Sequence, residues 1–130
     1  MKITVTPLRI YQDKRGWLVE NEVAKARNSM KHFLVSTSKP GEVRGQHYHK
    51  RKREWFLIIQ GEGRITFQDI KTSEIFSIDV SGKTPQMVEI PPFVAHAITN
   101  VGKKEMIMLG VINEPLDKAN PDTYPFIVIR

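Results

Sequence analysis

The sequence predicts an all-β fold, a sandwich or closed barrel of short antiparallel strands. Two observations carry that expectation: short apolar or alternating runs recur along the chain, and turn-forming residues separate them at nearly every step. A third agrees with them, because only 22–26 and 115–118 look even briefly helical. Strands with no helices to cover them must bury their apolar faces against each other.

The elements follow in order. Residues 1–7 alternate as a strand and lack the long apolar run of a signal peptide. Strand-like runs then occupy 31–36, 55–60, 64–69, 74–80, 86–90, 95–100, 105–112 and 125–129. Breakers stand between them at Lys39-Pro40-Gly41, Gly61-Glu62-Gly63, Val80-Ser81-Gly82-Lys83, Pro91-Pro92 and Asn100-Val101-Gly102. No internal repeat, linker or low-complexity stretch interrupts the pattern, so one domain over 1–130 is expected.

Composition narrows the chemistry. At 130 residues and 40% hydrophobic content the chain can bury a core unaided. It contains no cysteine, which excludes disulfides, thiolate metal sites and a cysteine nucleophile. Any metal must be held by nitrogen and oxygen. The net charge of +6 favours anionic partners, yet the basic residues are scattered apart from Lys50-Arg51-Lys52-Arg53 and show no aromatic-interleaved platform, so nucleic-acid binding is not expected. No apolar run approaches the length of a bilayer span, and a cytoplasmic protein without a membrane partner is the default expectation.

The chemistry concentrates in Gly41-Glu42-Val43-Arg44-Gly45-Gln46-His47-Tyr48-His49. On a strand, residues two apart share a face, so His47 and His49 point together and Tyr48 points away. Lys50 to Arg53 read as a hairpin connection that returns Glu54 beside them. An inward Glu54 places Phe56 and Ile58 inward too, which puts a carboxylate at the end of an apolar row, an arrangement that is expensive unless the carboxylate is paired or bound to a metal. His96, after the turn Ile90-Pro91-Pro92-Phe93, shares its face with Ile98 and Asn100. Any one of these histidines alone reads as an ordinary core or surface residue. Three imidazoles and a carboxylate that strand geometry can converge suit zinc, iron(II), manganese, nickel or copper. His32 lies in the run 31–36, where a structural role is the simpler reading.

These residues resemble the two cupin motifs. Gly41, His47, His49, Glu54 and Gly61 match the first; Pro91, His96 and Asn100 match the second, with Phe93 where a glycine is usual. Asp13-Lys14-Arg15-Gly16-Trp17-Leu18 and Arg44-Gly45-Gln46-His47-Tyr48-His49-Lys50 resemble motifs of the nucleotide-sugar epimerase branch of the cupins. Asn113-Glu114-Pro115 and Asn120-Pro121-Asp122-Thr123-Tyr124 resemble the C-terminal cupin domain of the CapF family of capsular-polysaccharide enzymes.

The resemblance implies a cupin (jelly-roll) barrel with a divalent metal, zinc first, on His47, His49, Glu54 and His96. It also implies an isomerase that epimerises the carbon next to the ketone of a UDP- or dTDP-linked 4-keto-deoxy-sugar, through a metal-stabilised enolate, in capsular or cell-surface polysaccharide biosynthesis. A separate reductase would then reduce the ketone. In the dTDP-sugar 3,5-epimerases the position of His47 is instead a catalytic base and no metal is needed, and their tyrosine acid has no clear counterpart here. The 3,4-ketoisomerases typically carry glutamine near the position of Glu54.

If all four residues are ligands, the proton carrier must be His32, Tyr48, Lys50 or water. If not, His47 is the base. Arg44 would offer a bidentate partner for a diphosphate, with Lys50 beside it. Trp17 and Trp55 read as core or interface residues before they read as uracil-stacking ones. A metal-dependent oxygenase and a non-catalytic binding module remain the competing classes. A homodimer is expected, with an N-terminal strand pairing across to a second copy to protect exposed edges.

Overall fold

The computed structural model describes residues 1–130. Twelve strands and one short helix form it. β1 (Thr4–Pro7), β9 (Gln86–Ile90), β6 (Glu54–Gln60), β11 (Met106–Ile112) and β4 (His32–Ser38) make one five-stranded sheet in that order. β12 (Tyr124–Pro125), β5 (Val43–Tyr48), β10 (Val94–Asn100), β7 (Glu62–Asp69) and β8 (Ile75–Ser81) make the second. A separate hairpin, β2 (Tyr11–Asp13) with β3 (Gly16–Leu18), joins neither, and Tyr11, Trp17 and Leu18 are exposed on it. The all-β expectation holds.

The main core lies between the sheets. Phe56, Ile58, Val88, Ile90, Met106 and Met108 from the first sheet meet Ile65, Phe67, Val80, Val94 and Ile98 from the second. A smaller cluster lies on the outer face of the first sheet, where Ala26 of α1 (Ala24–Ser29) and Leu8 cover Trp55, Leu57, Met87 and Val111. β6 is therefore buried on both faces, with Glu54, Phe56 and Ile58 inward and Trp55 and Leu57 outward. Trp55 is a core residue, as the sequence suggested, and its indole Nε1 donates to Glu89 at 3.2 Å.

Several expectations need correction. Residues 50–53 do not close a hairpin: β5 and β6 belong to different sheets, so the segment carries the chain from one sheet to the other. Residues 115–118 form no helix, and of the run 125–129 only Pro125 lies in a strand. The chain beyond it is tethered by Gln46 instead, whose side chain accepts from Val128 N at 2.7 Å and donates to Ile129 O at 2.6 Å. The N-terminal strand β1 pairs antiparallel with β9 of its own chain along one side and forms an outer edge of the first sheet. No helix is long and apolar enough to cross a membrane.

Candidate metal centre

The site lies at the end of the barrel where β6 and β10 begin and β5 ends. β5 and β10 pair with His47 opposite His96 and Gly45 opposite Ala97, which leaves Gln46 unmatched as a bulge with φ +60°. Gly45 adopts φ +93°, and the register allows its backbone to lie so close to β10 that a Cβ there would stand 2.7 Å from His96 O. This approach brings the His47 and His96 rings to 4.8 Å, edge to face. The turn before β10 keeps a left-handed residue although no glycine is present: Phe93 has φ +64°, a strain of about 1–2 kcal/mol for an L-residue. Its N–H donates to His49 O at 2.7 Å, so the strained turn also holds the ligand-bearing chain.

His47, His49, Glu54 and His96 converge, each offering one donor atom, and these atoms lie within 4.8 Å of one another. His49, Glu54 and His96 are buried, whereas His47 is only half-buried and opens the site to solvent. Two tautomers are fixed by carbonyl oxygens, which can only accept. His49 Nδ1–H donates to Asp122 O at 2.7 Å and His96 Nδ1–H to Val94 O at 3.1 Å. Both rings thus turn Nε2 into the cluster.

Glu54 Oε1 lies 2.7 Å from His49 Nε2 and 3.4 Å from His96 Nε2. Neither contact has hydrogen-bond geometry, so all three atoms are buried without a hydrogen-bond partner. Leaving a buried polar atom unsatisfied costs about 1–3 kcal/mol, more for a charged one. A single cation among them would satisfy all three at once. On that test the residues fit a divalent metal.

The electrostatics agree. Burial opposes charge on Glu54, but the His49 and His96 imidazoles outweigh it and hold the carboxyl well below the usual carboxylate range. Burial also opposes charge on His49, and there the Glu54 carboxylate wins and raises the imidazole. At His47 burial prevails, aided by its two histidine neighbours, and the ring is pushed down to about 4. His47 is therefore a neutral lone-pair donor near neutral pH.

The other candidate residues make no hydrogen bond to this cluster, and Arg44 points toward Thr37 and Glu105, away from it. Tyr48 points away as alternation requires and stacks on Tyr124 at 5.3 Å. Lys50 Nζ lies 4.3 Å over the same Tyr124 ring. His32 Nδ1 contacts Glu114 O at 3.2 Å. Arg44 Nε donates to Thr37 O on β4 at 2.8 Å, leaving the other guanidinium nitrogens without a hydrogen bond. The basic run is largely engaged, with Arg51 on Glu114 at 3.1 Å and Arg53 on Glu89 at 2.7 Å. A cleft of about 700 Å³ lies at the opposite end of the barrel among Trp17, Gln60, Gly82 and Lys103 and does not reach the histidines. Sequence reasoning gave no role to Asp122, whose backbone and carboxylate both touch this region, although it lies within Asn120-Pro121-Asp122-Thr123-Tyr124, a stretch that carries the family resemblance.

Residues 11–124 match the family model described as the polysaccharide biosynthesis C-terminal domain. The chain belongs to this family. Among its relatives is a UDP-2-acetamido-2,6-beta-L-arabino-hexul-4-ose reductase of Pseudomonas aeruginosa, 40% identical over 115 residues, which are 88% of this chain and 30% of that protein. Among solved structures, the capsular polysaccharide assembling protein CapF of Staphylococcus aureus is 34% identical with a TM-score of 0.74, covering 94% of this chain and 35% of CapF. The chain thus spans about a third of the length of both. A dTDP sugar isomerase of Desulfovibrio desulfuricans shares the fold more completely, with a TM-score of 0.87 over 98% of this chain and 89% of its own, at 13% identity. These likenesses agree with the cupin-type architecture.

Proposed function

We propose that this protein is a metal-dependent isomerase that epimerises the carbon next to the ketone of a nucleotide-linked 4-keto-deoxy-sugar, in the assembly of a capsular or other cell-surface polysaccharide. The observation that carries the reading is the buried convergence of His49 Nε2, His96 Nε2 and Glu54 Oε1 without hydrogen-bond partners beside a half-buried His47. The names of the relatives support the substrate class, since one acts on a UDP-linked hexulose and another is a dTDP sugar isomerase.

The difficulty of such a reaction is the charge that develops on the ketone oxygen when the neighbouring C–H proton leaves. A divalent metal, zinc first and nickel, iron, manganese or copper as alternatives, would supply Lewis acidity at that oxygen. His49, Glu54 and His96 would hold it from within and His47 from the solvent side. Arg44, with its unengaged guanidinium nitrogens, would take the diphosphate. Lys50 and His32 are candidate proton carriers, with Tyr48, turned away onto Tyr124, the weaker one, and a separate reductase would consume the product. We read residues 1–130 as one cupin domain, acting in the cytoplasm as a homodimer.

A second reading gives His47 the proton itself. It is favoured by the half-buried, neutral ring, which makes no hydrogen bond of its own.

The test is deuterium exchange. The zinc-loaded protein is incubated in heavy water with UDP- and dTDP-linked 4-keto-6-deoxy-sugars, and label is expected at the carbon beside the ketone. Absence of exchange with bound metal would remove the isomerase reading and leave a binding module; oxygen uptake with an organic substrate would point to an oxygenase. His47→Asn separates the two isomerase readings: metal lost together with exchange makes His47 a ligand, exchange lost with metal retained makes it the base.

A further inference from the structure

Asp122 is one of two buried carboxylic acids in the chain, 2% exposed, the other being Glu54. It stands at φ +54°, a left-handed conformation that aspartate tolerates better than most residues. Its carboxylate accepts the backbone N–H groups of three successive residues, Lys50 at 3.1 Å, Arg51 at 2.8 Å and Lys52 at 2.9 Å. Its own carbonyl oxygen accepts His49 Nδ1–H at 2.7 Å. One residue thus grips both the His49 ring and the chain that follows it.

The two grips are connected. Residue 122 precedes β12, whose ladder with β5 begins only at Tyr124, so no strand pairing fixes the Asp122 peptide. What places its carbonyl is the carboxylate seated in the three N–H groups, a concavity that favours an anion. The contrast with His96 is instructive: that ring is held by Val94 O, two residues back on its own strand, and needs no distant helper. His49 lies just past the end of β5 and has no such neighbour.

We propose that Asp122 is the positioning residue of the metal centre, setting the tautomer and aim of His49 through its carbonyl while its carboxylate anchors that carbonyl to residues 50–52. The inference rests on the metal reading for its consequence, but its geometric half stands apart from it. Imidazoles that ligate metals depend on such outer partners, whose removal typically weakens metal affinity about 10–100-fold.

The experiment has two arms. In the first, ¹⁵N NMR of the histidine rings is recorded on the metal-free protein at about pH 9, where imidazoles are neutral. His49 is expected as the Nδ1–H tautomer in the wild type and as a mixture in Asp122→Ala. In the second, zinc affinity is measured by competition with a chromogenic chelator. Asp122→Ala is expected to bind about 10–100-fold more weakly. Asp122→Asn, which retains one carboxamide oxygen for these N–H groups, should fall between Asp122→Ala and the wild type. Gly82→Ala, at the far end of the barrel, should bind as the wild type does.

An Nε2–H tautomer in the wild type overturns the proposal without any variant having to fold. So does a folded Asp122→Ala or Asp122→Asn that keeps both the tautomer and the wild-type zinc affinity. A wild type that binds no zinc but shows the Nδ1–H tautomer, lost in the variants, would sink the metal reading while leaving the positioning of His49 by Asp122 intact.

Discussion

Gly45→Ala tests whether backbone contact between β5 and β10 sets the place of His47. A Cβ at residue 45 would lie 2.7 Å from His96 O and 3.3 Å from Ala97 Cα, both backbone atoms of β10 that cannot swing aside. The strands would have to part by roughly 0.5 Å to restore ordinary contact. Forcing alanine to φ +93° adds about 1–2 kcal/mol, overpacking adds about 1–3, and stiffening of the unfolded chain returns about 0.4–1. The expected loss is about 2–4 kcal/mol.

His47 lies two residues on, opposite the same His96, so the parting also displaces its ring, and zinc affinity should fall at least about tenfold. Gly82→Ala provides the comparison, since its Cβ would meet Ile59 O at the same 2.7 Å but without a positive φ and at the far end of the barrel. Guanidinium melts and chelator competition read the two quantities separately. If Gly45→Ala lost stability yet bound zinc normally, or if Gly82→Ala weakened zinc as much, the argument from strand approach would be wrong.

Two further predictions concern stability away from the metal. Glu89 takes Arg53 at 2.7 Å and Lys25 at 3.0 Å; burial opposes its charge, but these partners hold its carboxyl below the ordinary value of 4.5. Its contribution is therefore present above 4.5 and lost as pH falls through the lower folded value. Glu89→Gln should cost about 1–2 kcal/mol at neutral pH, with the gap to wild type narrowing in melts as the pH is taken below 4.5; a constant gap would refute the linkage. Asn100 is 1% exposed and ties the far end together, donating to Ser38 O and Lys104 O at 2.8 Å each and accepting from Gly102 N at 2.9 Å. Asn100→Ala should lose about 2–4 kcal/mol in denaturant melts with unchanged zinc affinity; a fall in affinity would mean the two ends are coupled.

The convergence of His47, His49, Glu54 and His96 was legible because strand alternation allows these residues to share inward faces and because the same four match the two cupin motifs. The route between them was not. A four-residue polar link looks the same whether it doubles back within a sheet or crosses to the facing one, and residues 50–53 cross. Asp122 was beyond reach for a different reason: its partners lie about seventy residues earlier, and nothing in Asn120-Pro121-Asp122 says which N–H groups it will meet. The end of the chain misled because 125–129 carries an apolar pattern while its backbone bonds go to one residue, Gln46, through both its carbonyl and its side chain, a partner that periodicity does not register. Phe93 shows the converse, a turn kept although the residue that eases it is gone.

One consequence concerns how the site can change. A strand with a wet side has positions where substitutions pass unnoticed, but from Glu54 to Ile58 β6 has none, since each residue answers to the interior or to the layer beneath α1. Trimming Trp55 or Leu57 would tilt the strand from behind and move Glu54 without touching it. Tuning of the carboxylate is therefore available from outside the barrel, through residues that no substrate ever meets.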